Sequence, residues 1–315
     1  MDISLNKESW DLCKDYLHSA FGEHTSSTSK VYISLVLNFL KRNVLPDQDW
    51  KQQLFGYARN PTKTIELIHE KYPNLHTKAT LFSALYKLFQ VENLFPVSEF
   101  LEAMMVTSAN IKDDYKDQKF KPGREDKKKS LEEINSIHDN LLISFHGGGL
   151  DQSKKIRLAT DVLISGLMSG RYASTGTVPR RLLEYTLLAL HSDLDGLNRF
   201  SPDKKSMIFE YHKCKKHDAE IVQLNFPEEL RCCLDFLSNI RPKRPYLLMN
   251  EKNGQFNSST LHSRLFRIFG FGCDMLRSIF LTDKFKDQPS LLESEKLATE
   301  MGHSVNAQQL FYVKK

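Results

Sequence analysis

The chain has 315 residues, of which 40% are hydrophobic and 26% are charged, a globular composition long enough for two domains and unlike that of disordered or fibrous proteins. Its formal net charge of +5 suits a nucleic-acid partner but does not establish one. No run of residues approaches the roughly 18 consecutive apolar positions of a membrane-spanning helix, so we expect no membrane partner.

The N-terminus and the cysteines predict an intracellular protein. Residues Met1-Asp2-Ile3-Ser4 lack the basic segment and apolar core of a signal peptide. The 5 cysteines are odd in number and lack the spacing of metal ligands. The adjacent pair Cys232-Cys233 lies in a predicted helix and indicates core packing. We therefore expect reduced thiols, a cytosolic or nuclear compartment and no metal site.

Residues 1–110 read as a helical domain. Apolar residues recur at helical spacing over 10–17, and the hydroxyl clusters at 26–29 and 77–80 are typical of helix N-termini. Residues 111–129 are polar and charged, with Pro122-Gly123 as a breaker, and predict a linker.

Residues 130–315 predict a second domain that is mainly α with a small antiparallel β-sheet. A capping box formed by Ser130 and Glu133 starts its first helix. The predicted helices cover 156–168, 181–191, 227–237, 258–269, 273–280 and 291–301, and the predicted strands cover 207–211, 221–226 and 246–249.

Four short segments of this domain carry residues that can bind or react with a phosphate ester. They are, in chain order, Pro179-Arg180-Arg181-Leu182-Leu183-Glu184-Tyr185, the hairpin lysine Lys213, Leu276-Arg277-Ser278-Ile279-Phe280, and Gly302-His303 followed by Tyr312. Arginine donates two parallel hydrogen bonds to a phosphate and keeps its charge. The order Arg, Lys, Arg, His, Tyr resembles that of the tyrosine recombinases, the phage-integrase family. The two arginine motifs resemble those of integrases from eukaryotic DNA viruses, virophages and related mobile elements more than those of bacterial integrases.

The resemblance implies a DNA recombinase built from a helical core-binding domain (1–110) and a catalytic domain (130–315). Tyr312 would attack a phosphodiester of double-stranded DNA and leave a 3′-phosphotyrosine and a free 5′-hydroxyl, with no metal or cofactor. The family's reaction uses four protomers on two duplexes. Many members of the family exchange a helix beyond the tyrosine with a neighbouring protomer, but only three residues follow Tyr312 in this sequence. We therefore expect a homotetramer that assembles through other surfaces, or a monomer off DNA. The location implied is the nucleus or cytoplasm, where the DNA is.

The resemblance assigns the first arginine to Arg181, because the family's acidic residue follows three positions later, here at Glu184. Arg180 is the alternative, since a double arginine can shift the register by one. Glu184 would orient its neighbours. Two exposed arginines at a helix start, with one ion pair, would explain the same segment without catalysis.

The second arginine is Arg277, and here the chain departs from the family. The family's His or Lys three residues earlier is Asp274, whose negative charge would repel a phosphate. Asp274 could hold Arg277, act on the tyrosine hydroxyl, or cap the helix.

Lys213 is the expected acid for the leaving oxygen, with Lys215 and Lys216 as alternatives. A basic loop that only touches DNA phosphates is the other interpretation of this segment, and Arg241-Pro242-Lys243-Arg244 is a second basic cluster.

The resemblance makes His303 a residue that binds the scissile phosphate or steers the nucleophile. Arginines in the same pocket would stabilise the phenolate of Tyr312. A type IB topoisomerase-like enzyme, a DNA-binding protein that has lost catalysis, and a helical interaction protein are the competing interpretations.

Overall fold

The structure is a computed structural model that describes residues 7–22, 26–43, 49–93, 97–116, 129–190, 198–210, 221–287 and 290–313. The chain divides into two compact units, Met1–Lys116 and Asp117–Lys315. This division falls within the segment 111–129 that the sequence assigns to a linker, although the last helix of the first unit continues to Lys116. Among the described residues, no helix is both long and apolar enough to cross a membrane.

The described part of the first unit is helical. Its helices are α1 (Lys7–Ala20), α2 (Ser26–Arg42), α3 (Trp50–Arg59), α4 (Pro61–Lys71), α5 (Leu75–Val91) and α6 (Ser98–Lys116). Asp49 and Asn74 begin α3 and α5 by accepting hydrogen bonds from backbone N–H groups that the helix leaves unpaired. Helix α5 packs against α6 and α2, and its face from Leu81 to Phe89 forms much of the buried core.

Both tryptophans of the chain belong to this first core. Trp50 is 6% exposed, and its ring centroid lies 5.2 Å from that of Tyr16. The ammonium group of Lys41 lies 5.1 Å from the ring centroid of Trp10, within the range of a cation–π contact.

The second unit contains the helices and strands that position the candidate site. They are α7 (Leu131–His146), α8 (Gln152–Ser169), α9 (Leu182–Thr186), β1 (Arg199–Phe200), β2 (Ser206–Phe209), β3 (Val222–Asn225), α10 (Arg231–Ser238), α11 (Ser258–Phe269), α12 (Cys273–Lys284), α13 (Leu291–Glu300) and α14 (Val305–Ala307). The strands form one antiparallel sheet in the order β1-β2-β3, with Met207 opposite Leu224. The predicted fold class, mainly α with a small antiparallel sheet, is confirmed.

Helix α8 is the centre of the second unit. All its residues from Ala159 to Ser169 are buried, because α7, α10, α11 and α12 pack around it. The helix ends at Gly170, whose φ of +79° is a left-handed conformation. A Cβ at Gly170 would lie 2.3 Å from the ring of Phe280, so glycine lets α12 approach α8 closely.

The predicted helix at 181–191 is wrong in length, since α9 ends at Thr186. The following residues leave the helix because other segments bind their backbone. The N–H of Ala189 donates to the carbonyl of Asn198 at 2.7 Å, and the N–H of Leu190 donates to that of Pro245 at 2.9 Å. The apolar run 187–190 therefore forms β-bridges in the core, including one between Ala189 and Tyr246, and residues 246–249 contribute bridges rather than a strand.

The basic cluster 241–244 is only partly a surface feature. Arg244 is fully buried and donates to the carbonyl of Met249 at 2.6 Å and to that of Asn250 at 3.1 Å. These contacts hold the turn that Asn250 and Asn253 form. Arg244 therefore cannot contact DNA phosphates in this arrangement, and its expected role in a basic surface is wrong.

Candidate active site

Arg180 joins two segments that are far apart in the sequence. Its guanidinium is fully buried, and Nε donates to Oε2 of Glu184 at 2.5 Å. Nη1 donates to the carbonyl of Glu300, the last residue of α13. The guanidinium carbon also lies 4.5 Å from the ring centroid of Phe209 on β2. Arg180 thus ties the start of α9 to the end of α13.

Arg181 is the half-buried N-cap residue of α9, in an extended backbone conformation. Its positive charge is close enough to the C-terminal residues to lower the pKa of both His303 and Tyr312. The alternative of two exposed arginines is wrong, because Arg180 is buried.

Arg277 lies in α12 and is 1% exposed. Its Nη2 donates to the carbonyl of Met301 at 3.1 Å and to Nδ1 of His303. The ring centroid of Tyr312 lies 4.7 Å from its guanidinium carbon, so the phenol ring covers one face of the cation. Arg277, His303 and Tyr312 therefore meet in one place.

Asp274 does not cap α12, because Gly272 is the N-cap residue and Asp274 lies within the first turn. Its side chain is exposed. Its negative charge is one of the influences that raise the pKa of Tyr312, after burial, so Asp274 lies at the edge of this group of residues.

His303 follows a tight turn at the end of α13, defined here as the Gly302 turn (residues 300–303). Gly302 has a φ of +70°, and the N–H of His303 donates to the carbonyl of Ala298 at 3.0 Å. Burial, aided by Arg277 and Arg181, lowers the pKa of His303 to about 3, so the imidazole is neutral at pH 7. A guanidinium has only donors, so Nδ1 accepts from Arg277 and the ring proton is on Nε2.

Tyr312 ends a five-residue π-helical segment, Gln308–Tyr312, that follows α14. Its ring centroid lies 5.3 Å from that of His303. Burial raises the pKa of Tyr312 more strongly than Arg277 lowers it. The expected stabilisation of phenolate by arginines is thus outweighed here, and the hydroxyl is protonated.

Lys213 and its alternatives Lys215 and Lys216 lie outside the described residues, which omit 211–220. In the part of the chain that the structure describes, no group of three or more histidine, cysteine, aspartate or glutamate side chains is arranged to hold a metal ion.

Gln308 is the residue that the sequence interpretation missed. It is fully buried beside His303, and neither atom of its amide has a hydrogen-bond partner among the described residues. A glutamine four residues before a predicted nucleophile is not a distinctive pattern, so only the burial of its side chain draws attention to it.

Unpartnered polar atoms are concentrated in this group. The described residues contain 11 buried side-chain nitrogen or oxygen atoms without a hydrogen-bond partner. Six of them are Arg180 Nη2, Glu184 Oε1, Arg277 Nε, His303 Nε2, Gln308 Nε2 and Gln308 Oε1. Buried polar groups normally have partners, so this cluster of exceptions leaves unused hydrogen-bonding capacity in one part of the second unit.

No protein-family model matches this chain, and no curated protein matches it. Among solved structures, the crystal structure of XerA recombinase is similar to this chain, with 15% sequence identity and a TM-score of 0.37 over 98% of this chain and 94% of that one. A similarity at that identity and score carries no argument about the fold or activity of this protein.

Proposed function

We propose that this protein cleaves and rejoins DNA strands through a covalent bond between Tyr312 and a DNA phosphate, as a tyrosine recombinase does. The observation that carries the proposal is the group of unpartnered buried atoms around Arg277, His303 and Tyr312. Three of those atoms are donors, namely Arg277 Nε, His303 Nε2 and Gln308 Nε2, because His303 carries its proton on Nε2.

A phosphodiester could supply the hydrogen-bond acceptors that these donors lack. Its two non-bridging oxygens share one negative charge and accept several hydrogen bonds, which are stronger when the partner is a guanidinium. Arg277 and Arg181 supply the positive charge, and His303 supplies a neutral N–H. An anion bound here would pair donors that are otherwise left buried without partners.

Arg180 and Glu184 serve a different purpose in this proposal. Their buried ion pair and the bond from Arg180 to the carbonyl of Glu300 hold the Gly302 turn, which presents His303. Arg181, not Arg180, then meets the phosphate, which agrees with the three-residue spacing to Glu184 that the resemblance uses.

The reaction forms one phosphorus–oxygen bond and breaks another. The phenol oxygen of Tyr312 attacks phosphorus, its proton passes to a base, and the departing 5′-oxygen receives a proton from an acid. His303 is unsuited as that acid because its pKa of about 3 leaves it neutral. Lys213 remains the predicted donor. The ring of Tyr312 must leave the face of Arg277 for a phosphate to reach the guanidinium.

The first unit would bind the duplex. A groove of about 430 Å³ on this unit is lined by Val31 and Leu35 together with the polar residues Lys30, Ser34, His76, Thr77 and Thr80. Ammonium and hydroxyl groups of this kind donate to DNA phosphates. Assembly as a tetramer on paired sites, and integration or excision of a viral or mobile genome, are further parts of the proposal that rest on the sequence resemblance.

The test is covalent capture on nicked suicide DNA carrying candidate attachment sequences. Wild-type protein should give a protein–DNA adduct that survives denaturation, and peptide mapping should place it on Tyr312. The variant Tyr312→Phe should bind DNA as wild type does but form no adduct, because the ring is kept and the nucleophile is lost.

The matched control is Tyr246→Phe, which removes a hydroxyl from another half-buried tyrosine of the same unit and should leave the adduct intact. Undiminished adduct in Tyr312→Phe would exclude Tyr312 as nucleophile. Relaxation of supercoiled plasmid without recombinant products would replace the recombinase by a topoisomerase-like enzyme.

A further inference from the structure

The backbone groups of Gln308 have hydrogen-bond partners, whereas its side-chain amide has none within the described ranges. Its N–H donates to the carbonyl of Ser304 at 2.9 Å, and its carbonyl accepts from the N–H of Val313 at 3.2 Å. The side chain is fully buried, and both amide atoms lack partners within the described ranges. The next residue, Gln309, is exposed, so the chain places one glutamine inside and one outside.

A leucine at position 308 would give the same burial without the loss of hydration that an unpaired amide suffers. The amide is therefore expected to have a partner in the functional state. A hydrogen-bond interaction with the Gln308 side chain raises the pKa of His303, against the larger effect of burial, so the amide lies beside that imidazole. That interaction falls short of a full hydrogen bond, because His303 Nε2 and both atoms of the Gln308 amide have no partner at hydrogen-bond distance and angle.

One acceptor could satisfy both groups. His303 presents an N–H at Nε2 because Arg277 occupies Nδ1, and Gln308 presents an NH₂ group beside it. Arg277 adds a free N–H at Nε. Three unpartnered donors from three neighbouring residues match an oxygen that carries negative charge.

We propose that Gln308 is a ligand of the scissile phosphate, and that its amide donates to the non-bridging oxygen that His303 also contacts. This inference rests on the proposed DNA-cleaving function. Its donor is uncharged, so it would add a hydrogen bond to the transition state without attracting DNA phosphates at long range.

The first measurement compares Gln308→Leu with the matched control Gln309→Leu. Cleavage of suicide DNA by Gln308→Leu should be slower by about 10- to 100-fold, the range for loss of one neutral donor to a charged oxygen. DNA affinity should stay within about twofold, because most of it comes from contacts to other phosphates. Gln309→Leu should cleave as wild type does.

The second measurement uses DNA in which one non-bridging oxygen of the scissile phosphate is replaced by a methyl group. On the methylphosphonate isomer that lacks the contacted oxygen, Gln308→Leu and wild type should cleave at the same rate. On the opposite isomer the full difference between them should remain. A residue that only supports the fold would slow cleavage of all three substrates equally.

Equal cleavage by Gln308→Leu and wild type, or an equal loss on every substrate, would overturn the assignment of Gln308 while wild-type adduct still supports the proposed function. Absence of any wild-type adduct would remove both proposals. If thermal unfolding shows that Gln308→Leu is not folded, Gln308→Met keeps the length of the side chain, and the same comparison of isomers decides.

Discussion

Three buried arginines are a distinctive feature of the second unit. Arg180, Arg244 and Arg277 are each at most 1% exposed. Arg244 bonds to carbonyls and holds a turn, whereas Arg180 has a carboxylate partner in Glu184. Arg277 combines a carbonyl, an imidazole and an aromatic face. The bonding partners thus distinguish Arg180 and Arg244, which support the fold, from Arg277, which is available to a ligand.

The Arg180–Glu184 pair gives a prediction at this scale. Arg180→Met should lower the free energy of unfolding by about 3–5 kcal/mol, because it leaves a buried carboxylate without its partner. The double variant Arg180→Met/Glu184→Leu should recover most of that loss. Urea unfolding at pH 7 measures both.

The control for this cycle is Arg181→Met, at the neighbouring half-buried position, which should cost less than about 1 kcal/mol. Additive losses in the double variant would show that Arg180 and Glu184 do not act as a pair.

At the scale of elements, the Gly302 turn decides how the C-terminal segment meets the rest of the unit. Gly302 has positive φ, and a Cβ there would lie 3.2 Å from both Arg180 Nη2 and Glu184 Oε1. The turn therefore packs its backbone directly against the buried ion pair, and glycine suits both the positive φ and the narrow space.

Gly302→Ala should destabilise the protein more than Gly270→Ala. Both glycines have positive φ, so each variant should lose about 1–2 kcal/mol from backbone strain. A Cβ at Gly270 meets nothing within 4 Å, whereas one at Gly302 would lie in tight contact with the ion pair and push it slightly aside. Thermal unfolding of the two variants measures the stability that each loses, and the difference reports the contact with the ion pair. Equal losses would show that the ion pair moves aside at no cost in stability.

The sequence predicted helix ends that depend on neighbouring residues, but it did not predict those that depend on contacts with distant segments. The capping box of Ser130 and Glu133 begins α7 as predicted, because both of its bonds are made within four residues. The end of α9 was not predictable, since Asn198 and Pro245 bind the residues that follow it. At the site, the sequence resemblance to tyrosine recombinases pointed to Arg277, His303 and Tyr312, and these three residues lie together in the structure. They could not indicate Gln308 or the inward direction of Arg180, which depend on packing.

For the whole molecule, the buried histidines link stability to pH. His138 is fully buried between Ser165 and Tyr172, at 2.7 Å and 2.9 Å, and burial lowers its pKa to about 4. His303 is lowered further, to about 3. Both side chains are neutral in the folded protein, and in the unfolded chain they take up a proton near pH 6.5.

The unfolded state therefore binds more protons below pH 6.5, and the free energy of unfolding should fall as pH drops from about 6.5 towards 4. The loss attributable to His138 is on the order of 3 kcal/mol, from its shift to about 4. Urea midpoints across this range measure it. His138→Gln should flatten the dependence, whereas His146→Gln, an exposed position on the same helix, should not. Equal slopes in wild type and His138→Gln would contradict this account.

The confinement of both tryptophans to the first core gives the protein a built-in optical reporter. Emission excited at the indole band comes from Trp10 and Trp50 alone, within Met1–Lys116. A change in that emission when duplex is added would therefore report on the surroundings of these two residues, whereas gel capture reports on bond formation at Tyr312. Fluorescence titration and gel capture would then time docking and chemistry separately, with no label attached.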